Sequence, residues 1–120
     1  MKRLLVQVRK FTYTLDTLIE NNKLSRADYD DFEKRIVANP EEGDVIPGTG
    51  GLRKTRIKSS SKGKSGGFRI CYLDCKESEK IFLLLIYGKG EMDNISQKEK
   101  VILKHLVEII KNEESHGKVF

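Results

Sequence analysis

In Lys80-Ile81-Phe82-Leu83-Leu84-Leu85-Ile86-Tyr87 every side chain after the lysine is apolar or aromatic. Eight residues suit a strand and fall far short of the roughly twenty that a bilayer-spanning helix requires. Because apolar side chains point to both faces, the strand belongs inside a sheet rather than at its rim. Working back from it, Phe68 to Leu73 and Leu52 to Lys58 read as two more strands. They are joined by Ser59 to Gly67, Ser-Ser-Ser-Lys-Gly-Lys-Ser-Gly-Gly, a flexible basic turn. Such short connections imply an antiparallel meander.

Helices lie on either side of the meander. Leu4, Val6 and Val8 alternate as an opening strand, and Phe11, Leu15, Leu18 and Ile19 then recur at helical spacing up to Asn21-Asn22. Ser25 with Asp28 makes a capping box for a second helix, whose apolar stripe is Tyr29, Phe32 and Ile36. Asn39-Pro40 ends it, since a residue before proline resists helical geometry. After the last strand, Ser96 with Glu99 caps a final helix in which Ile102, Leu106, Ile109 and Ile110 are expected to face the core. The expected fold is α+β: an antiparallel sheet of about four strands with two N-terminal helices and one C-terminal helix packed against it. The 120 residues make one domain, 1–120, with a frayed tail over 115–120.

Charge is distributed unevenly. Lys and Arg total 23 against 18 Asp and Glu. Seven of the basic residues (Arg53, Lys54, Arg56, Lys58, Lys62, Lys64 and Arg69) fall between Val45 and Leu73, where no acidic residue occurs. Without those seven the balance is 16 to 18, so the cationic character is local and points to a polyanion. Lys54, Arg56 and Lys58 share one strand face, with Lys62 and Lys64 on the adjoining loop. A solvated sheet face is the plainer account of such a row, and a phosphate backbone is the functional one.

Tyr87, at the end of the apolar strand, is followed across a glycine by Lys89. Alone, the pair reads as a core aromatic and a surface lysine. Beside a basic meander, a tyrosine suits base stacking or proton exchange, and a lysine suits a phosphate oxygen. Walker, nucleophile-elbow and metal-ligand patterns are absent, so neither metal nor cofactor is expected. The basic half has no histidine, which excludes a ribonuclease working through a histidine pair. Cys71 and Cys75, four residues apart on an extended stretch, are expected as reduced thiols. That fits a cytoplasmic protein with no membrane segment.

Three stretches resemble one family. Gly43-Asp44-Val45-Ile46-Pro47-Gly48-Thr49-Gly50-Gly51-Leu52-Arg53-Lys54-Thr55-Arg56, Gly66-Gly67-Phe68-Arg69-Ile70-Cys71-Tyr72 and Leu84-Leu85-Ile86-Tyr87-Gly88-Lys89-Gly90-Glu91-Met92 are similar, in order and spacing, to the HigB branch of the RelE/ParE toxins. The similarity runs from about Tyr29 to the last helix and leaves residues 1–24 unmatched. It implies a toxin of a type II toxin–antitoxin system that cleaves mRNA on the ribosome. It also implies a HigA-like helix-turn-helix antitoxin through which alone the pair would touch operator DNA. Carried across by position, Arg69, Tyr87 and Lys89 are the implied catalytic residues. Arg53, Lys54, Arg56 and Lys58, with Lys62 and Lys64, are the implied RNA-binding set. The superfamily also contains gyrase-poisoning ParE members, so gyrase inhibition or plain RNA binding stands as the alternative. The residues leave the general base open.

Overall fold

The apolar run forms the strand on which the sheet is built. The computed structural model describes residues 3–58, 67–88 and 96–117. Along the chain come β1 (Leu4–Gln7), α1 (Arg9–Glu20), α2 (Arg26–Ala38), β2 (Asp44–Val45), β3 (Arg53–Arg56), β4 (Phe68–Cys75), a 3-10 turn (Lys76–Ser78), β5 (Lys80–Gly88) and α3 (Gln97–Gly117). In space the strands lie β1-β5-β4-β3-β2. β5 is internal, as its two apolar faces require. The meander β3-β4-β5 is antiparallel as expected. The sheet is mixed all the same, because β1 lies parallel to β5, with Leu4 opposite Lys80 and Gln7 opposite Leu83. A fifth strand, β2, has only two residues, too few to leave a pattern of alternation.

The two faces of the sheet carry separate cores. On one, α1 and α2 bring Phe11, Leu15, Tyr29, Phe32 and Ile36 against Ile70, Tyr72, Ile81, Leu83 and Ile86. The other is covered by α3, whose Leu103, Val107 and Ile110 meet Leu52, Cys71, Leu73, Phe82 and Leu84. Both serines cap their helix starts, and at Ser96 the reciprocal bond of the box is present too, its amide donating to Glu99 Oε1 at 3.3 Å. Ser25 Oγ accepts the Asp28 amide at 3.2 Å, and Ser96 Oγ accepts that of Glu99 at 3.1 Å.

The inward face of α3 differs in part from the one expected. Ile110 is buried as expected, together with Leu103 and Val107, whereas Ile102 is 60% exposed, Ile109 44% and Leu106 37%. Apolar residues cover about two thirds of this helix's circumference at 3.6 residues per turn, so periodicity cannot say which arc turns inward. The buried arc packs on the sheet and also meets the Pro47–Gly51 turn. A Cβ on Gly50, where φ is +79°, would stand 3.3 Å from Val107 Cγ1. Lys111 Nζ donates to the Gly50 carbonyl at 2.7 Å, fixing the helix over the turn. Among the described residues no helix is long and apolar enough to cross a membrane.

Candidate active site

Pairing across three strands sets the candidate residues in rows. Arg56 on β3 stands opposite Arg69 on β4, and Arg69 stands opposite Tyr87 on β5. The neighbouring row, two residues along, begins with Asp44 on β2 and continues through Lys54, Cys71 and Leu85. Partners directly opposite one another share a face, and this is the face that α3 covers elsewhere. The rows border an open cleft of about 530 Å³. Five cations line it: Arg35, Lys54, Arg56, Lys58 and Arg69. Arg69, half-buried, donates to the Gly67 carbonyl at 3.1 Å. The pairing of Arg56 with Arg69 sets two guanidinium side chains directly opposite one another, concentrating positive charge at the cleft floor.

Tyr87 reaches this face because of an irregularity in β5. Cys71 pairs with Leu85 but Tyr72 pairs with Leu83, so Leu84 is an extra residue and the register shifts. Strict alternation from Phe82 would send Tyr87 to the α1/α2 side. With the bulge, Phe82, Leu84 and Tyr87 all belong to the core beneath α3, and Tyr87 still lines the cleft. Its ring is 7% exposed, so core aromatic and cleft residue are both correct descriptions. The Cys71 thiol donates to the Tyr87 hydroxyl at 3.9 Å. Burial pushes that thiol from its ordinary 9.0 up to about 11. Cys71 and Cys75 are both free, as expected.

The cleft has an acidic wall that sequence spacing did not reveal. Glu42 and Asp44 lie outside the basic segment, yet the β2–β3 pairing brings both to its edge. Glu42 is committed: Arg35 Nε donates to its two oxygens at 2.7 and 2.8 Å, and Thr55 Oγ1 donates at 3.0 Å. Arg35 Nη2 also donates to the Arg56 carbonyl at 2.6 Å, tying the end of α2 to β3. Between the two carboxylates, the Gly43 amide donates to the Tyr72 hydroxyl at 2.8 Å, and that hydroxyl donates to the Pro40 carbonyl, also at 2.8 Å. A Cβ on Gly43 would lie 2.8 Å from the Lys54 carbonyl and 2.9 Å from the Tyr72 ring, so only glycine fits under this clasp. Burial raises the Tyr72 phenol above its ordinary 10.0.

Of the residues singled out in the sequence, Lys54, Arg56, Lys58, Arg69 and Tyr87 come together in one cleft. Arg53 does not join them. It sits opposite Tyr72, and its guanidinium donates to the carbonyls of Gly43 at 2.6 Å and Glu41 at 3.2 Å. The strand's alternation that groups Lys54 with Arg56 sends Arg53 the other way. Lys62, Lys64 and Lys89 lie outside the described residues. Arg35, Glu42, Asp44 and Thr55 were missed, since Arg35 and Glu42 come from the end of α2 and the loop after it.

Residues 35–117 match the family model described as the RelE toxin of the RelE/RelB toxin–antitoxin system. Among solved structures, a free-state E. coli toxin RelE variant with two arginines replaced by alanine is similar in fold. Its TM-score is 0.53 at 22% sequence identity, over 85% of this chain and 97% of that one.

Proposed function

Given that the chain belongs to the RelE toxin family, and so is the toxin of a toxin–antitoxin pair, we propose that it is an endoribonuclease that cuts messenger RNA on the ribosome. The observation that carries this reading is the Arg56–Arg69–Tyr87 row on the floor of a cleft lined by five cations. RNA brings its own nucleophile, the 2′-hydroxyl, so the protein has to align it and stabilise charge on a five-coordinate phosphate. Arg69 suits the phosphate, because its planar fork binds two oxygens and keeps its proton. Lys54, Arg56 and Lys58 carry the flanking backbone, and the small part of Tyr87 that reaches the cleft gives a base a rigid edge to meet. By the family resemblance, Lys62, Lys64 and Lys89 extend the same surface.

On this reading the nucleophile is the RNA's own 2′-hydroxyl, so the chemistry calls for no metal-activated water. The motif spacing supports the HigB branch and a HigA-like antitoxin, and a ribosome-bound target places the action in the cytoplasm. The test is brief induction followed by mapping of new mRNA 5′ ends, with cleavage repeated on intact ribosomes using a message that carries a 2′-deoxy nucleotide at the cut site. New 5′-hydroxyl ends within minutes, and no cutting of the 2′-deoxy message, are expected. Cutting of that message, or 5′-phosphate ends, overturns the mechanism. Loss of gyrase supercoiling without new ends overturns the function.

A further inference from the structure

We infer that Asp44 is the general base of the cleft, the group that takes the proton from the attacking 2′-hydroxyl. This rests on the ribonuclease reading above and adds to it the residue that starts the reaction.

Cleavage through the 2′-oxygen needs a proton acceptor, and most of the cleft's side chains cannot serve. Arg35, Arg56 and Arg69 keep their protons, and the ammonium groups of Lys54 and Lys58, exposed rather than buried as a base lysine is, have donors but no lone pair. Thr55 spends its hydroxyl proton on Glu42. Both oxygens of Glu42 already receive Arg35, and one of them also receives Thr55. The Tyr87 ring is 7% exposed, with its hydroxyl directed at the buried Cys71 thiol. His105 is on α3, paired with Glu108, and does not line the cleft. That leaves Asp44, an exposed carboxylate on the cleft wall with no hydrogen bond or ion pair among the described residues.

Its placement suits the task. Asp44 pairs with Lys54, so its side chain lies on the face that carries Arg69 and Tyr87, one row away. Asp44 lies two strands across and two residues along from Arg69, roughly 12 Å between Cα atoms, a span that the long Arg69 side chain can close onto a phosphate whose ribose faces the carboxylate. The residue before it is held by the Tyr72 clasp, which fixes the backbone from which the carboxylate extends. In the step, the 2′-O–H bond breaks as the 2′-O–P bond forms, and the proton passes to Asp44. The P–O5′ bond then breaks, and the 5′-oxygen takes a proton from a cleft ammonium or from water. The products are a 2′,3′-cyclic phosphate and a 5′-hydroxyl, with no oxidant or co-reactant.

The test is single-turnover cleavage of a ribosome-bound message by the full-length wild type, Asp44→Asn and Asp44→Glu, measured against pH. Asp44→Asn is expected to be slower by about a hundredfold or more, and to lose the acidic limb of the pH–rate profile while binding loaded ribosomes as tightly as the wild type. Asp44→Glu is expected to recover part of the rate and to keep a displaced acidic limb. A rate for Asp44→Asn within threefold of wild type overturns the assignment. So does a slow variant whose acidic limb is unmoved, which would mark Asp44 as merely orienting Lys54. Wild type that leaves the message uncut would bring down the ribonuclease reading itself, and the assignment with it.

Discussion

Arg69 and Tyr87 stand directly opposite one another on β4 and β5. They do so only because Leu84 is bulged out of the ladder between Leu83 and Leu85. The charge proposed to grip phosphate and the tyrosine proposed to meet a base are thus set by a single backbone irregularity.

Arg69→Ala should remove growth inhibition and leave the fold intact. Among the described residues its side chain bonds to one carbonyl, that of Gly67, so little stability depends on it. Losing the main charge on the phosphate should slow cleavage by about a hundred- to a thousandfold. Growth curves and thermal melts of the same variant check both halves. Full toxicity at normal expression would remove Arg69 from the site.

Tyr87→Phe should cost less than about tenfold in cleavage, because it keeps the ring and loses only a hydroxyl turned toward Cys71. Tyr87→Ala should melt early, since it empties part of the core under α3. A loss of about a hundredfold in Tyr87→Phe would instead give the phenol a proton to move.

How far these residues could be read in advance follows from period and distance. β4, β5 and the capped helices were legible because alternation and capping boxes are local patterns. The Lys54–Arg56–Lys58 face followed from the same alternation, which also explains why Arg53 leaves the group. The inward arc of α3 was not legible, because Val101, Ile102, Leu106 and Ile109 are as apolar as the residues that are buried. Nor was the acidic wall: Asp44 meets Lys54 through a two-residue strand, and nothing in Gly43-Asp44-Val45 announces a strand. The Leu84 bulge lies hidden in an unbroken apolar run.

Tyr72→Phe should destabilise the protein by about 1–3 kcal/mol, because it strips a buried amide at Gly43 and a carbonyl at Pro40 of their partner. It should also slow cleavage by loosening the wall that carries Asp44. Denaturant melts and cleavage rates read the two effects separately. Unchanged stability would show that the clasp is not maintained in solution.

Stability should fall as pH rises from about 9 to 11. The Cys71 thiol, moved by burial from 9.0 to about 11, holds its proton in the folded chain after the unfolded chain has lost it. Its contribution is therefore full below 9 and lost as pH rises through the folded value. Burial raises Tyr29, Tyr72 and Cys75 in the same direction. Melting temperatures between pH 8 and 11 test this, and Cys71→Ala should flatten the slope. A flat profile in the wild type would contradict the burial of these groups.

The parallel pairing of β1 with β5 joins residues 4–7 to residues 80–83. During synthesis the first strand therefore waits for its partner until two thirds of the chain has been made. The helices that follow β1 have their sheet face only once β5 arrives, because Ile81, Leu83 and Ile86 supply part of that core. Tyr87, at the far end of the same strand, is the last described cleft residue to leave the ribosome. Contacts this distant in sequence are slow to close. A nascent chain cut short before β5 thus carries the basic residues of β3 without the strand that completes the cleft, so the described part of the cleft closes only after nearly three quarters of the chain has been translated.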